Sequence, residues 1–150
     1  MMKRRWGLVT ALCLVLMLVA CGTVSDKNAE QYNAFMAKAE AIEDYSKENY
    51  ETAELQSVLN EESYQVYLKW DALLNEVYQF LKIDMDAEAF AALETEELAW
   101  IKMKESAVEA AGDAWKGGSA EPMARNAEGI KYTRERCYYL ISLVKPRELK

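Results

Sequence analysis

The chain has 150 residues, of which 25 are acidic and 18 are basic, and its formal net charge is −7. An acidic surface repels the phosphates of nucleic acids, which argues against a nucleic-acid partner. The sequence contains no histidine and therefore lacks the commonest general base and zinc ligand.

The N-terminus has the pattern of a secretion signal. Three basic residues precede an uncharged, mostly apolar stretch at residues 6–20, which is shorter than the roughly 20 residues that span a bilayer. The stretch leads into Leu18-Val19-Ala20-Cys21, which resembles the lipobox of bacterial lipoproteins. We predict a lipoprotein signal at residues 1–20, lipidation of Cys21 and a tether at residues 21–27. The alternatives are a plain signal peptide with an incidental cysteine, or an apolar helix of the fold.

Removal of this signal makes the chain more acidic. All 25 acidic residues but only 15 of the 18 basic ones lie beyond residue 20, which gives a formal charge of −10. Such a charge favours cationic partners at long range, although acidity can also serve only to keep an exported protein soluble. With Cys13 removed and Cys21 lipidated, Cys137 is the remaining thiol, so no intramolecular disulfide can form.

Helical periodicity predicts a single all-α domain at residues 28–150, folded as an antiparallel bundle of about four helices. The first helix is predicted to begin near Asn28. Its apolar face consists of Tyr32, Phe35, Met36, Ala39 and Ile42. A weak break follows at residues 49–52, where Thr52 is a candidate N-cap for the second helix.

The second helix, at about residues 53–82, is predicted to direct polar side chains inward. At 100° per residue, Asp71 and Asn75 fall in the same stripe as Leu74 and Tyr78. The rest of this predicted inner face consists of Tyr64, Tyr67, Val77 and Leu81. Because an unpaired buried carboxylate is costly, we expect an arginine or several backbone donors to meet Asp71.

The third helix is predicted to begin after an Asp86 N-cap and to run to about Trp115, with Glu97 facing inward one turn before Trp100. The fourth helix ends before Pro146. Its apolar face consists of Ile130, Thr133, Cys137, Leu140, Ile141 and Val144. Arg136 on this helix is the expected partner of the inward acids. We predict a buried polar network of Asp71, Asn75, Glu97, Trp100 and Arg136.

Residues 114–122 (AWKGGSAEP) are predicted to form the hinge between the third and fourth helices. Gly117 stands where a helix C-cap favours a left-handed residue, and Ser119 stands where the next helix favours an N-cap. Pro122 then lies in the first turn of the fourth helix, where its missing N–H does little harm. The segment lacks the spacing of a dinucleotide turn or a P-loop.

No motif indicates catalysis, a metal or a cofactor. Residues 84–95 have the alternating acids of a calcium loop, but Ala89 and Thr95 replace its glycine and its final glutamate. Cys137 lies in the apolar stripe of its helix, which is typical of a small core residue. We therefore expect a protein that is not an enzyme.

Several motifs in order resemble the LprI-like lysozyme-inhibitor family of exported bacterial proteins. They are residues 70–78 (WDALLNEVY), Leu93 with residues 97–101 (ELAWI), Gly117-Gly118-Ser119, Asn126, and residues 133–136 (TRER) with Leu140. The family pattern D-x-x-L-N-x-x-Y falls on Asp71, Leu74, Asn75 and Tyr78. This chain has Glu97 for the usual glutamine before Trp100, Lys104 for a frequent arginine, and none of the paired cysteines of many members.

The resemblance implies a membrane-anchored, extracytoplasmic lipoprotein that binds a basic lysozyme and blocks its cleft. An exposed loop suits such a block better than a helix face. The candidate partner-binding residues are Trp115, Lys116, Ser119 and Glu121; the alternative is that this loop only connects two helices. Two other functions stay open, an envelope protein that binds another protein partner and an enzyme acting on the cell wall.

Overall fold

The computed structural model describes residues 9–144, with side chains from residue 27 onward. Its four α-helices are α1 (Val9–Tyr45), α2 (Gln56–Asp84), α3 (Ala87–Asp113) and α4 (Glu121–Val144), and a π-helical turn at Ser46–Tyr50 follows α1. The described residues contain no β-strand. The predicted all-α bundle is therefore confirmed.

α1 is longer than predicted. It continues without a break through residues 21–27, which are predicted to form a tether outside the first helix. The basic residues at 3–5 and Pro146 lie outside the described residues, as do the side chains of Cys13 and Cys21, so the signal and the lipidation stay predictions. Within residues 9–144, no helix combines the length and the apolarity needed to cross a membrane.

The start of α2 differs from the prediction at Thr52. The Thr52 hydroxyl donates to the carbonyl of Glu48 at 2.7 Å, so it extends the preceding π-helical turn. α2 begins at Gln56, and Leu55 occupies the N-cap position without a side-chain hydrogen bond. Threonine often bonds the carbonyl four residues back in place of capping, which explains the error. The predicted Asp86 cap of α3 is confirmed, since its Oδ1 accepts from the Ala89 N–H at 2.8 Å.

α4 organises the bundle because it packs against each of the other three helices. The Asn126 side-chain amide donates to the Ser63 hydroxyl at 3.0 Å, and Trp70 packs on Tyr138 further along both helices. Because both contacts advance in the same direction along the chain, α2 and α4 run parallel. α3 runs antiparallel to α4. The backbones of α2 and α3 stay apart along most of their length, which leaves a groove between these two helices.

The hydrophobic core lies mainly between α2 and α4. Its members on those helices are Val66, Trp70, Leu73, Leu74, Val77, Leu81, Cys137, Leu140, Ile141 and Val144. The α2 stripe is therefore centred on Trp70 and Leu73, whereas we predicted one that included Tyr64, Tyr67 and Tyr78. Tyr64 is exposed. Tyrosine often lies at the edge of a core with its hydroxyl toward water. The prediction counts these tyrosines as core residues, so it places the centre of the buried stripe too far toward their side of the helix.

The predicted core position of Cys137 is confirmed, and it implies an inert thiol. Cys137 is fully buried, and this burial raises the pKa of its thiol from 9.0 to about 12. In a variant with Cys13 and Cys21 changed to serine, we expect an aromatic disulfide reagent to leave native Cys137 unmodified at pH 8 and to label it fully in denaturant. Labelling at pH 8 as fast as in the unfolded chain would contradict this placement.

The same burial predicts a dependence of stability on alkaline pH. The folded state holds the thiol proton up to a higher pH than the unfolded chain does. Its contribution to stability is therefore complete below pH 9.0 and decreases as the pH rises from there toward about 12. Comparison with Cys137→Ala across this range, by urea unfolding, isolates the contribution of the thiol.

Candidate functional site

An ion pair between Glu97 and Arg136 joins α3 to α4, as the sequence predicted. The Arg136 Nε donates to Glu97 Oε1 at 2.8 Å, and the two side chains are only 11% and 9% exposed. The guanidinium also stacks on Tyr139, with 4.6 Å to the ring centroid, and Arg136 Nη2 lies 3.6 Å from an oxygen of the exposed Glu96. Burial of both charges requires this pairing.

Asp71 and Asn75 lie outside that ion pair, so the predicted five-residue network is wrong in this part. The Asn75 side-chain amide donates to the Asp71 carbonyl at 2.8 Å and to its carboxylate at 3.1 Å. Asp71 is half-buried and Asn75 is exposed. Because the buried stripe of α2 centres on Trp70 and Leu73, these two polar side chains lie at its edge, where water solvates them. Asp71 therefore needs no arginine partner.

Four of the five predicted residues nevertheless line one groove between α2 and α3, which we call the α2–α3 groove. Its α2 wall consists of Asp71, Leu74, Asn75 and Tyr78. Its α3 wall consists of Glu94, Glu97, Leu98, Trp100, Ile101 and Lys104. The cavity has a volume of about 460 Å³. Its walls are mostly apolar, with three carboxylates and one ammonium among them.

The groove is electronegative near Tyr78. Burial raises the pKa of the Tyr78 hydroxyl above its ordinary value of 10.0, and the negative charges of Glu94 and Glu97 raise it further. Glu94 is exposed and has no ion-pair partner among the described residues. Glu97 is neutralised by Arg136. Asp71 and Glu94 are therefore the carboxylates of this groove that form no ion pair among the described residues.

Lys104 lines both the α2–α3 groove and a smaller cavity of about 220 Å³. The other walls of the smaller cavity include Tyr67, Val108, Arg125, Asn126 and Gly129. The Lys104 ammonium donates to the Tyr67 hydroxyl at 3.3 Å and lies 4.9 Å from the centre of the Trp100 ring. An arginine, frequent here in the family pattern, would offer a planar fork, whereas lysine offers a point charge that suits these aromatic neighbours.

Gly129 is a residue whose importance the sequence did not reveal. A Cβ at this position would come within 3.1 Å of two atoms of the Tyr67 ring. Because Gly129 has no Cβ, the Tyr67 ring can lie close against α4 beside the smaller cavity. The signal that could have identified this glycine is its place inside a helix, where glycine is unfavourable by about 1 kcal/mol relative to alanine unless packing requires it.

The connection between α3 and α4 presents an exposed tryptophan. Trp115 is 54% exposed, and the side chain of Lys116 extends into solvent with only a long contact of 3.9 Å to Asp113. Gly117 has the predicted left-handed conformation, with φ of +77°. Pro122 lies in the first turn of α4, as predicted. Trp115 and Lys116 are therefore available to a partner.

Two of the four candidate loop residues are engaged inside the protein. α4 begins at Glu121, so Ser119 lies one residue too early for the predicted N-cap, and its carbonyl accepts from the Asn60 side chain at 2.9 Å. The Glu121 carboxylate accepts from the Gly117 N–H at 2.8 Å and pairs with Arg125 at 3.0 Å. The Ser119 backbone carbonyl and the Glu121 carboxylate thus hold the loop in position.

Glu121 gives the loop a dependence on acidic pH. The Gly117 N–H, and after it Arg125, lowers the pKa of the Glu121 carboxyl below its ordinary value of 4.5. The ionised Glu121 carboxylate therefore contributes to the stability of the fold above pH 4.5. This contribution is lost as the pH falls through the lower pKa that the carboxyl has in the folded state. We expect Glu121→Gln to be less stable than the parent at pH 7 and to approach it at lower pH, by urea unfolding. A difference that stays constant from pH 7 to pH 3 would contradict this role.

Among the residues that the structure describes, no three potential ligand side chains of cysteine, aspartate or glutamate lie close enough to hold a metal ion.

A protein-family model described as "Lysozyme inhibitor LprI" matches residues 46–140 of the chain. This match covers the α2–α3 groove, the smaller cavity and the loop between α3 and α4. No curated protein and no solved structure matches the chain significantly.

Proposed function

The chain belongs to the LprI lysozyme inhibitor family, and we propose that it binds a basic lysozyme and blocks its cleft without catalysing a reaction itself. The observation that carries this proposal is the family match, because it spans nearly all of α2, α3 and α4. The motifs on which the sequence resembles the family lie within the matched residues.

The charge of the chain supports a basic partner. Beyond residue 20 the formal charge is −10, and oppositely charged proteins associate faster than neutral ones at low salt. This steering depends on ionic strength, because the Debye length shortens from about 10 Å at 0.1 M salt to about 3 Å at 1 M. Inhibition of a basic lysozyme is therefore expected to weaken as salt is added.

The loop between α3 and α4 is the segment that we propose to enter the lysozyme cleft. Trp115 offers a large exposed ring, and such residues carry a large share of the binding energy of protein interfaces. The contacts of Glu121 and Ser119 hold the backbone of the loop, which reduces the entropy lost on binding. A fixed loop with an exposed aromatic residue suits insertion into a cleft.

The decisive experiment adds the purified protein to a basic lysozyme that is digesting a cell-wall suspension, at several salt concentrations. We expect slower digestion at stoichiometric amounts and less inhibition at high salt. No slowing at any excess of the protein would eliminate inhibition of that lysozyme and favour an envelope protein with another partner. Release of glycan by the protein alone would instead support an enzyme.

We also propose that lipid on Cys21 holds the protein on the extracytoplasmic side of the membrane. The support is the sequence Leu18-Val19-Ala20-Cys21 after an apolar stretch. Expressed in a bacterium that processes lipoproteins, the parent is expected in the membrane fraction and Cys21→Ser in the soluble exported fraction. Equal amounts of both proteins in the membrane fraction would contradict anchoring through this cysteine.

A further inference from the structure

We infer that the α2–α3 groove is a docking site for a partner polypeptide segment in which an arginine or lysine lies beside apolar side chains. This inference goes beyond the proposed function, because it concerns a surface other than the loop and does not require the partner to be a lysozyme.

α3 carries the exposed apolar side chains of the groove. Leu98 is 64% exposed and Ile101 is 37% exposed, one turn apart on the wall of the groove. Two buried apolar residues line the same groove, Leu74 on the α2 wall and Trp100 on the α3 wall. Exposed apolar side chains that share a groove with buried apolar residues gain from being covered, whereas single exposed apolar residues on a flat surface do not need an explanation.

The charged residues of the groove favour a partner with a positive charge. Asp71 and Glu94 lie on opposite walls, and neither forms an ion pair within the described residues. Asn75 donates to one oxygen of Asp71 and thereby fixes the carboxylate. The Lys104 ammonium contacts Tyr67 and Trp100 instead of these acids. A cationic side chain between the two walls would meet two unpaired carboxylates.

The dimensions of the groove suit a short segment of polypeptide. Its volume of about 460 Å³ falls within the range of about 300–1,000 Å³ that is common for small-molecule sites, so it offers room for a few side chains of a partner. The apolar wall of α3 and the two carboxylates line the same cavity, so one segment can contact both of them. A segment with leucine beside arginine satisfies both parts of the groove, whereas an anionic segment would meet like charges.

The test uses the purified full chain and isothermal titration calorimetry. The probe is an acetylated, amidated peptide of alternating leucine and arginine, and its matched control has glutamate in place of arginine. The charge variant is Asp71→Asn with Glu94→Gln. Its control is Glu40→Gln with Glu135→Gln, which changes the net charge equally at two exposed positions outside the groove.

We expect the parent to bind the arginine peptide and not the glutamate peptide. The groove variant should bind about tenfold more weakly, and the control pair within about twofold of the parent. For the apolar wall, Leu98→Ala should weaken binding, whereas Leu55→Ala, at a leucine of similar exposure in the turn before α2, should not.

Failure of the parent to bind the arginine peptide, or equal weakening by both charge pairs, would overturn the inference. So would a groove variant that binds the peptide as tightly as the parent does. Self-association of the parent that the groove variant loses would show that the groove accommodates a second copy, and it would overturn the inference as well. The lysozyme assay runs in parallel. Inhibition that persists in a groove variant unable to bind peptide leaves both proposals standing with separate surfaces, and peptide binding without inhibition rejects the proposed function alone.

Discussion

Replacement of Glu97 with alanine is expected to destabilise the protein by about 3–5 kcal/mol, because it leaves the Arg136 guanidinium buried without its closest acceptor. Arg136 is 11% exposed, and its Nε donates to Glu97 at 2.8 Å. The remaining carboxylate, Glu96, lies 3.6 Å away at the surface and can compensate only in part. Urea unfolding of the parent and the variant measures the difference.

Glu96 supplies the matched control for this experiment. Its side chain is 54% exposed, so Glu96→Ala is expected to cost less than about 1 kcal/mol. Glu97→Gln, the residue usual in the family pattern, keeps an acceptor for Arg136 and should fall between the two. A double variant with Glu97→Leu and Arg136→Met removes both charges and should recover part of the loss. Equal effects of Glu96→Ala and Glu97→Ala would contradict the buried pair.

Replacement of Trp115 with alanine is expected to weaken inhibition of a basic lysozyme by about thirtyfold, about 2 kcal/mol, while leaving folding unchanged. The ring is 54% exposed and lies in the loop between α3 and α4, so its removal opens no cavity in the core. Its effect on the free energy of unfolding should stay within about 0.5 kcal/mol. Digestion of cell walls at increasing inhibitor concentration, with urea unfolding beside it, separates the two effects.

Ile83 is the control for Trp115. It is an exposed apolar residue at the C-terminal end of α2, whereas the loop lies beside Asn60 near the N-terminal end of that helix. Ile83→Ala should therefore leave inhibition unchanged. If the Trp115→Ala variant inhibits as well as the parent does, the loop only connects two helices, and the contact with lysozyme lies on another surface.

The helices could be predicted because their local signals agree with their packing. The inner faces of α3 and α4 follow a helical period, Asp86 caps α3, and Gly117 adopts the left-handed conformation that a turn after a helix favours. These features depend on neighbours in sequence. The start of α2 was less predictable, because Thr52 has two local partners available and bonds the carbonyl behind it.

The candidate site was predicted only in part, since its geometry depends on which helices touch. The Glu97–Arg136 pair follows from two inward charges on helices that meet. Asp71 was assigned to the core because the predicted stripe of α2 included tyrosines at its edge. Nothing in the sequence shows that α2 packs mainly against α4 and leaves a groove toward α3. The shared groove of Asp71, Asn75, Glu97 and Trp100 therefore had to come from the structure.

The central position of α4 affects the order in which the chain can fold. Of the four described helices, α4 is synthesised last, and it supplies the surface against which α2 and α3 bury their apolar residues. Until it is present, the backbones of α2 and α3 pack little against each other, so a nascent chain that ends at the loop has no complete core. Cooperative folding must then wait for residues beyond 121, and a chain truncated before them should remain susceptible to proteases.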